Sequence, residues 1–509
     1  MQTRVGRNGM QVKVIHGSIT EVPSDVLVVN LFEGVKVPGG ATGAVDRALD
    51  GVISEIITSG EIKGKVGETA LIHTHGKIAP KRVLIVGLGK SEDFDMYGVR
   101  KAAGTAVRAV KGKGIKSVTS IVHGAGIGGL NPIEAARATV EASILGAYEP
   151  DLYKKEKEPS SIETFAIVER DAKKASEFES AAQEAKILGE STNYARDLSN
   201  EPANKMTPSV LAEKAKQLAE ECGLDIEILD QKRMEELSMG ALLAVARGSK
   251  EPAQLIVLKY AARDAKTTLG LIGKGITFDS GGISIKPQEN MRDMKFDMSG
   301  AAAVLGAMRA IAHIRPPINV IGVVPATENM PDGGAYRPGD VITCMNGKTV
   351  EIVTTDAEGR MILCDSITYA RQLGADYLAD IATLTGACVV ALGVEITGIW
   401  GNNRQLIDSV VQASKEAGEK MWEMPLEKDY MRQMKSDIAD IANVGGRFGG
   451  AIHGALFLQE FAEGTPWVHL DIAGTSDLPT AEAGSHRAPG ATGVGVRTFY
   501  HLAKRLSGS

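Results

Sequence analysis

Two glycine-rich segments concentrate the side chains of this chain that could do chemistry. The first runs Gly273-Lys274-Gly275-Ile276-Thr277-Phe278-Asp279-Ser280-Gly281-Gly282-Ile283-Ser284-Ile285-Lys286-Pro287 and continues to Met294-Lys295-Phe296-Asp297-Met298. The second is Thr354-Thr355-Asp356-Ala357-Glu358-Gly359-Arg360. Together they carry four carboxylates (Asp279, Asp297, Asp356, Glu358) and four cations (Lys274, Lys286, Lys295, Arg360). Charges in loops are ordinarily solvated surface, but the spacing argues for convergence. In extended backbone Asp356 and Glu358 point to the same side. Asp279 has Gly275 and Gly281 on either side, which let backbone approach closely. Asp297 opens a small-residue run, Ser299-Gly300-Ala301-Ala302-Ala303, that only tight packing favours. Clustered carboxylates repel unless protonated or bridged by metal. Four charges of −1 against two divalent ions of +2 sum to zero.

Both segments follow predicted strands, where open α/β sheets place their sites. Apolar runs predict strands over Val12 to Ile15, Val26 to Asn30, Ala70 to His73, Arg82 to Val86, Ser117 to Val122 and Thr164 to Val168, with a helix over Ile133 to Gly146. The stretch Lys154 to Ser161 reads as a surface loop. A helical period returns from Asp171 to Asp197. Further strands are predicted over Ala253 to Leu258, Thr268 to Ile272, Asn319 to Val324, Tyr377 to Ile381 and Trp467 to Ile472, with a hairpin across Asn346-Gly347. The fold class is therefore α/β in two domains. Residues 1–170 form a small N-terminal α/β (macro-like) domain. Residues 171–509 form a larger C-terminal catalytic domain with a central mixed sheet flanked by helices, entered through a connecting helix at 171–197.

Composition narrows the class. A chain of 509 residues with 43% hydrophobic and 24% charged residues is neither disordered nor fibrous and has room for more than one core. A net charge of −6 argues against nucleic acid as the main partner. The 4 cysteines lie far apart in sequence with no CxxC, so no zinc ribbon or disulfide framework is expected, and the 9 histidines form no HExxH. A bound metal would therefore lean on oxygen ligands. The most apolar stretch, Ile381 to Trp400, contains Thr383, Thr385, Glu395 and Thr397 and reads as a buried strand-loop-helix segment. No apolar leader follows Met1, which predicts a cytoplasmic protein.

Several local motifs fail on context. Gly124-Ala125-Gly126-Ile127-Gly128-Gly129 matches GxGxxG, but the acidic residue expected ~20 residues on is missing, and a structural turn is the better reading. Gly87-Leu88-Gly89-Lys90-Ser91 lacks the first glycine of a P-loop, since Leu84 stands there. His453, amid apolar residues, is expected to be packed and hydrogen-bonded rather than a general base.

The two segments resemble the leucyl (cytosol) aminopeptidases, whose signature core is Asp-Ala-Glu-Gly-Arg at 356–360. The likeness extends through Asn200-Glu201-Pro202-Ala203-Asn204, Pro325-Ala326-Thr327-Glu328-Asn329-Met330-Pro331, Arg337-Pro338-Gly339-Asp340 and Ala382-Thr383-Leu384-Thr385-Gly386-Ala387, covering most of residues 190–500. Two departures stand in the signature: Thr354 replaces the family's usual Asn, and Met361 its usual Leu. Neither removes a ligand, though Thr354 could alter how the loop is braced. The resemblance implies a dinuclear site in which Asp279 and Glu358 bridge two ions, Lys274 and Asp297 complete the tighter position, and Asp356 completes the more exchangeable one. Zn²⁺ or Mn²⁺ is expected, with Co²⁺ or Mg²⁺ possible, because oxygen-rich sites discriminate poorly. It also implies that Lys286 stabilises the oxyanion, that Arg360 holds a bicarbonate acting as general base, and that Met294, Thr383, Leu384 and Gly386 line an apolar pocket. The implied reaction is attack of a metal-activated water that releases single N-terminal residues, preferably Leu and other neutral ones, from peptides. A homohexamer is implied as well.

Two other classes compete. A dinuclear phosphoesterase shares carboxylate clusters but usually leans on histidine, and neither segment contains one. A DNA-binding regulator would have to use the basic patches Lys111-Gly112-Lys113-Gly114-Ile115-Lys116 and Arg100-Lys101, whose ordinary fate is solvated surface.

Overall fold

A computed structural model describes residues 9–126, 129–151, 153–155, 162–479, 486–487 and 489–508. The loop expected over Lys154 to Ser161 and the GxGxxG match therefore lie partly outside the described residues. The chain divides into two compact units, one built from residues through Glu190 together with Pro479–Pro489, the other from Ser191–Leu478 with Gly490–Ser509.

In the first unit the alternation of the apolar runs builds a sheet covered on both faces. Its strands are β1 (Gln11–His16), β2 (Val26–Phe32), β3 (Thr69–His73), β4 (Arg82–Gly89), β5 (Ser117–Ser120) and β6 (Thr164–Glu169), in the order β1-β6-β5-β2-β4-β3. All pairings are parallel except that of the edge strand β3 with β4. Val26, Val28, Leu84 and Val86 enter one core cluster, while Leu27, Val29, Val83 and Ile85 enter the other. This is the period-2 signature of a sheet with helices on both sides. The helix Ala172–Asn200 runs through the division between the units rather than starting after it, because Phe178, Ala182 and Ala185 are buried in the first unit's core.

The second unit holds a nine-stranded mixed sheet among the described residues. Its strands are β7 (Asp225–Leu229), β8 (Gln254–Tyr260), β9 (Thr268–Gly273), β10 (Gly275–Asp279), β11 (Asn319–Asn329), β14 (Tyr377–Ala382), β15 (Thr397–Gly401), β16 (Met421–Glu423) and β18 (Trp467–Asp471). The order is β16-β15-β18-β14-β9-β11-β8-β7, with β10 pairing beside β11. The central strands β18, β14, β9 and β11 are parallel. A small sheet joins β12 (Val341–Thr343), β13 (Thr349–Glu351) and β17 (Ile441–Ala442). The expected hairpin forms between β12 and β13, but only Gly347 of its turn takes a positive φ, 87°.

Alternation along β11 again assigns the faces. A Cβ on Gly322 would meet Val304 and Met308, so the helix Ser299–Ile314 covers that side. Ile321 and Val323 point into the opposite core with Met361, Ile362 and Leu363 of the helix Glu358–Gln372. The first glycine-rich segment follows β9 and β10, and the second runs from β13 of the small sheet into the helix Glu358–Gln372. No helix among the described residues is long and apolar enough to cross a membrane.

Candidate metal centre

Each carboxylate of the two segments is delivered by a different element. Lys274 follows β9, and Asp279 ends β10. Asp297 lies in the 3₁₀ segment Met291–Met298 that feeds the helix Ser299–Ile314. Glu358 is the first residue of the helix Glu358–Gln372, and Asp356 precedes it. The loop after β10 turns through Gly281 and Gly282, with φ of 88° and 66°. A side chain on Gly281 would collide with the Ser284 carbonyl 2.5 Å away, so glycine is required for the tight return.

The structure brings the four carboxylates together around two lysines, Lys274 and Lys286. Lys274 Nζ donates to Asp297 Oδ1 at 2.7 Å and to the Thr383 carbonyl at 2.8 Å, and contacts Glu358 Oε1 at 2.8 Å. Lys286 Nζ lies 2.8 Å from Asp279 Oδ2 and also contacts Asp356 Oδ1. Oxygens of Asp279, Asp356 and Glu358 lie within 4.8 Å of one another. Four carboxylates at −1 and two ammoniums at +1 leave a formal −2 in a largely buried place. Asp297 Oδ2 is buried with no hydrogen-bond partner among the described residues. A deficit of positive charge and an unmatched carboxylate oxygen are what divalent cations fit.

The titration behaviour has the same cause. Burial, reinforced by Glu358, pushes Asp279 up to about 6. Burial also raises Asp356 and carries Asp297 well above the usual carboxylate range, despite Lys274 beside it. Glu358 goes the other way, because Lys274 and Lys286 together outweigh its burial. Lys274 is raised although burial opposes its charge, since Asp297, Glu358 and Asp279 surround it.

Arg360, the second residue after Glu358, faces differently. It is buried, donates from Nη1 to the Asn443 carbonyl at 2.7 Å, and leaves Nε without a partner among the described residues. Burial lowers it only to about 10, so it stays charged at neutral pH. A buried guanidinium without a carboxylate partner calls for another anion.

The expected pocket residues are placed unequally. Thr383 is tied into the cluster, donating to Asp297 Oδ1 at 2.7 Å, and the Leu384 amide and Thr385 hydroxyl are held by Asp471 at 3.2 and 2.7 Å. Gly386 opens the following helix and is exposed. Met294 is half-buried, three residues before Asp297 in a 3₁₀ turn where such positions eclipse. Lys295 points away and donates to the Asn200 carbonyl at 3.0 Å. Thr354 keeps the loop braced: its hydroxyl accepts from the Asp356 amide at 3.2 Å, the side-chain-to-i+2 contact an Asn would also make.

Sequence reasoning missed Asn329 and Thr355, the polar pair that stitches the two segments together. Thr355 Oγ1 donates to the Gly281 carbonyl at 2.6 Å and accepts from the Ser284 amide at 2.8 Å. Only the quoted Pro325 to Pro331 motif pointed at Asn329. His453 is packed as expected, against Tyr430 and Gly445, yet neither ring nitrogen has a hydrogen-bond partner among the described residues. Cys344 and Cys364, distant in sequence, meet with sulfurs 3.8 Å apart as buried free thiols.

Comparison with known proteins places the chain in a family. Residues 193–500 match the catalytic-domain model of the cytosol aminopeptidase family, and residues 28–157 match that family's N-terminal domain. A probable cytosol aminopeptidase of Solibacter usitatus is 48% identical over 97% of this chain and 99% of its own length, and one of Alkaliphilus metalliredigens is 44% identical over 98% and 100%. Among solved structures, a tomato leucine aminopeptidase mutant superposes with TM-score 0.89 at 33% identity, covering 99% of this chain and 98% of its own. The bottromycin maturation enzyme BotP in complex with Mn gives 0.84 at 35% identity over 95% and 100%. The chain therefore belongs to the cytosol aminopeptidase family and is an aminopeptidase, a hydrolase.

Proposed function

We propose that the enzyme releases single N-terminal residues from peptides, with preference for Leu and other neutral apolar side chains, using two divalent ions held by Lys274, Asp279, Asp297, Asp356 and Glu358. The observation that carries this reading is the convergence of four carboxylates on two lysines with a formal −2 left over. In this reading Asp279 and Glu358 would serve both ions, Lys274 and Asp297 would complete the tighter position, and Asp356 the more exchangeable one. The preferred ions are Zn²⁺ or Mn²⁺, with Co²⁺ or Mg²⁺ able to enter the exchangeable position. When bound, such ions polarise a carbonyl and make water more acidic.

The chain's own groups do the rest. Lys274 must give up a proton to act as a ligand, because its Nζ now donates to Asp297. Lys286, less buried than Lys274, supplies a positive charge where an oxyanion develops. Arg360 fits as the holder of a bicarbonate, whose chemistry is that of a base, and its own charge rules it out as one. Thr383 and Leu384, fixed by Asp297 and Asp471, would form with Met294 and Gly386 the pocket that takes the N-terminal side chain.

The test is hydrolysis of a panel of aminoacyl amides. Chelation should abolish activity and Mn²⁺ or Zn²⁺ should restore it, with Leu and Met among the best substrates. Full activity in Asp279→Ala or Glu358→Ala enzyme would sink the reading. The same reading makes the protein a cytoplasmic homohexamer. Light scattering should return a mass of six chains. The DNA-binding alternative finds no support in its patches: Arg100 is buried against Glu141, and Lys116 pairs with Glu163.

A further inference from the structure

A cation site depends on the groups behind its ligands as well as on the ligands themselves, because those groups decide which oxygens turn inward. Asn329 occupies that place. It ends β11, in register with Asp279 at the end of β10, and its carbonyl accepts from the Ser280 amide at 3.0 Å and the Ser280 hydroxyl at 2.7 Å. The side chain is completely buried. Its Nδ2 lies 2.8 Å from Asp279 Oδ1, 3.0 Å from the Thr355 carbonyl and 3.4 Å from Glu358 Oε2.

Three acceptors around one nitrogen settle the orientation of this amide, since the reverse would set its oxygen against three others. Oδ1 consequently has no hydrogen-bond partner among the described residues, a cost of the arrangement. Gly282 makes room for it, because a Cβ there would lie 2.7 Å from that oxygen. The choice of residue type is also informative. A lysine would link the two carboxylates but remove one unit of the negative charge that attracts a cation. An aspartate would add repulsion. A neutral amide donates to both and leaves the charge alone.

We propose that Asn329 is the positioning residue of the metal pair: by donating to both Asp279 and Glu358 it fixes which of their oxygens face the ions, so that both ion positions depend on it together. This rests on the two-ion reading given above. Asn329 touches neither substrate nor water in this scheme; it acts through the two carboxylates.

The test uses the full chain and Mn²⁺ alone, followed by isothermal titration and by electron paramagnetic resonance of the coupled ion pair. Asn329→Ser should weaken both Mn²⁺ positions by about 10–100-fold and diminish the coupled signal in a chain that circular dichroism shows to be folded. Tyr336→Phe is the control. It removes a 2.8 Å hydrogen bond to the same Thr355 carbonyl without touching a carboxylate, and should bind both ions like the natural chain. Should Asn329→Ser not fold, Asn329→Leu keeps nearly the shape while losing the donor without adding charge, and should show the same paired loss. Two Mn²⁺ bound with natural affinity in these variants, or weakening of one position alone, overturns the proposal. A natural chain that takes up no Mn²⁺ overturns the two-ion reading itself, and is told apart because variant and natural chain then behave alike.

Discussion

Gly359 shows how much of the site hangs on single atoms. A Cβ built there would lie 2.5 Å from Lys274 Cε and 2.8 Å from its Nζ. Flexible side-chain ends usually yield, but this one is pinned by Asp297, Glu358 and the Thr383 carbonyl. Alanine is also the better helix former by about 1 kcal/mol, so the helix Glu358–Gln372 should not suffer. Gly359→Ala is therefore expected to melt at or below the natural temperature, because the clash with a pinned side chain offsets the propensity gain, while kcat falls about 100-fold, the usual penalty for an ångström-scale misplacement. Calorimetry and a leucyl amide assay on the same preparation check both halves, and undiminished kcat would contradict the pinning. The ligand candidates stood out because acids, lysines and glycines crowd two short segments. Asn329 did not, because its partners Asp279 and Glu358 lie far from it in sequence and an uncharged amide carries no signal of its own.

At the scale of elements, alternation and small-residue runs told most. Strand positions followed from apolar runs, and Asn319 to Val324 was read correctly as a strand but too short. It continues to Asn329 through Pro325, a residue normally excluded from central strands. The proline sits where β11 changes neighbour, paired with β9 through Val323 and with β10 from Ala326, a break in that ladder where its missing donor is tolerated. The run Ser299 to Ala303 was legible as a helix that packs closely, and Gly300 gives the reason. A Cβ there would sit 2.2 Å from the Ile381 carbonyl and 2.8 Å from the Lys274 amide. These are backbone atoms of β14 and of the segment after β9, which cannot yield. Gly300→Ala should therefore lower stability by about 1–3 kcal/mol in urea titration and displace Asp297, three residues earlier, with it. An unaltered midpoint would show that the helix shifts freely and that its closeness to the sheet is incidental.

At the scale of the whole molecule, the two units should answer acid differently. In the first, His123 is completely buried and burial depresses it from 6.5 to about 4, with Asn30 Nδ2 3.1 Å from its Nδ1. A base depressed in the folded state binds fewer protons there than when unfolded. Stability is then fully present above pH 6.5 and is lost as pH falls toward 4, by about 3 kcal/mol at the end of that window. In the second unit His469 behaves oppositely. Asp380, 2.5 Å from its Nδ1, outweighs burial and raises it, so its contribution is present at low pH and declines as pH rises through the folded value. Neither response was legible in the sequence, where both are single histidines in apolar surroundings and only the third dimension supplies Asp380. Hydrogen exchange of the full chain between pH 7 and 5.5, corrected for the intrinsic rate, separates the two. Protection of peptides from β2, β4 and β5 should fall with pH, and His123→Gln should flatten that slope while leaving peptides from β14 and β18 unaffected. An identical slope in the variant would mean that His123 is neutralised by something other than burial, and that acid reaches the first unit by another route.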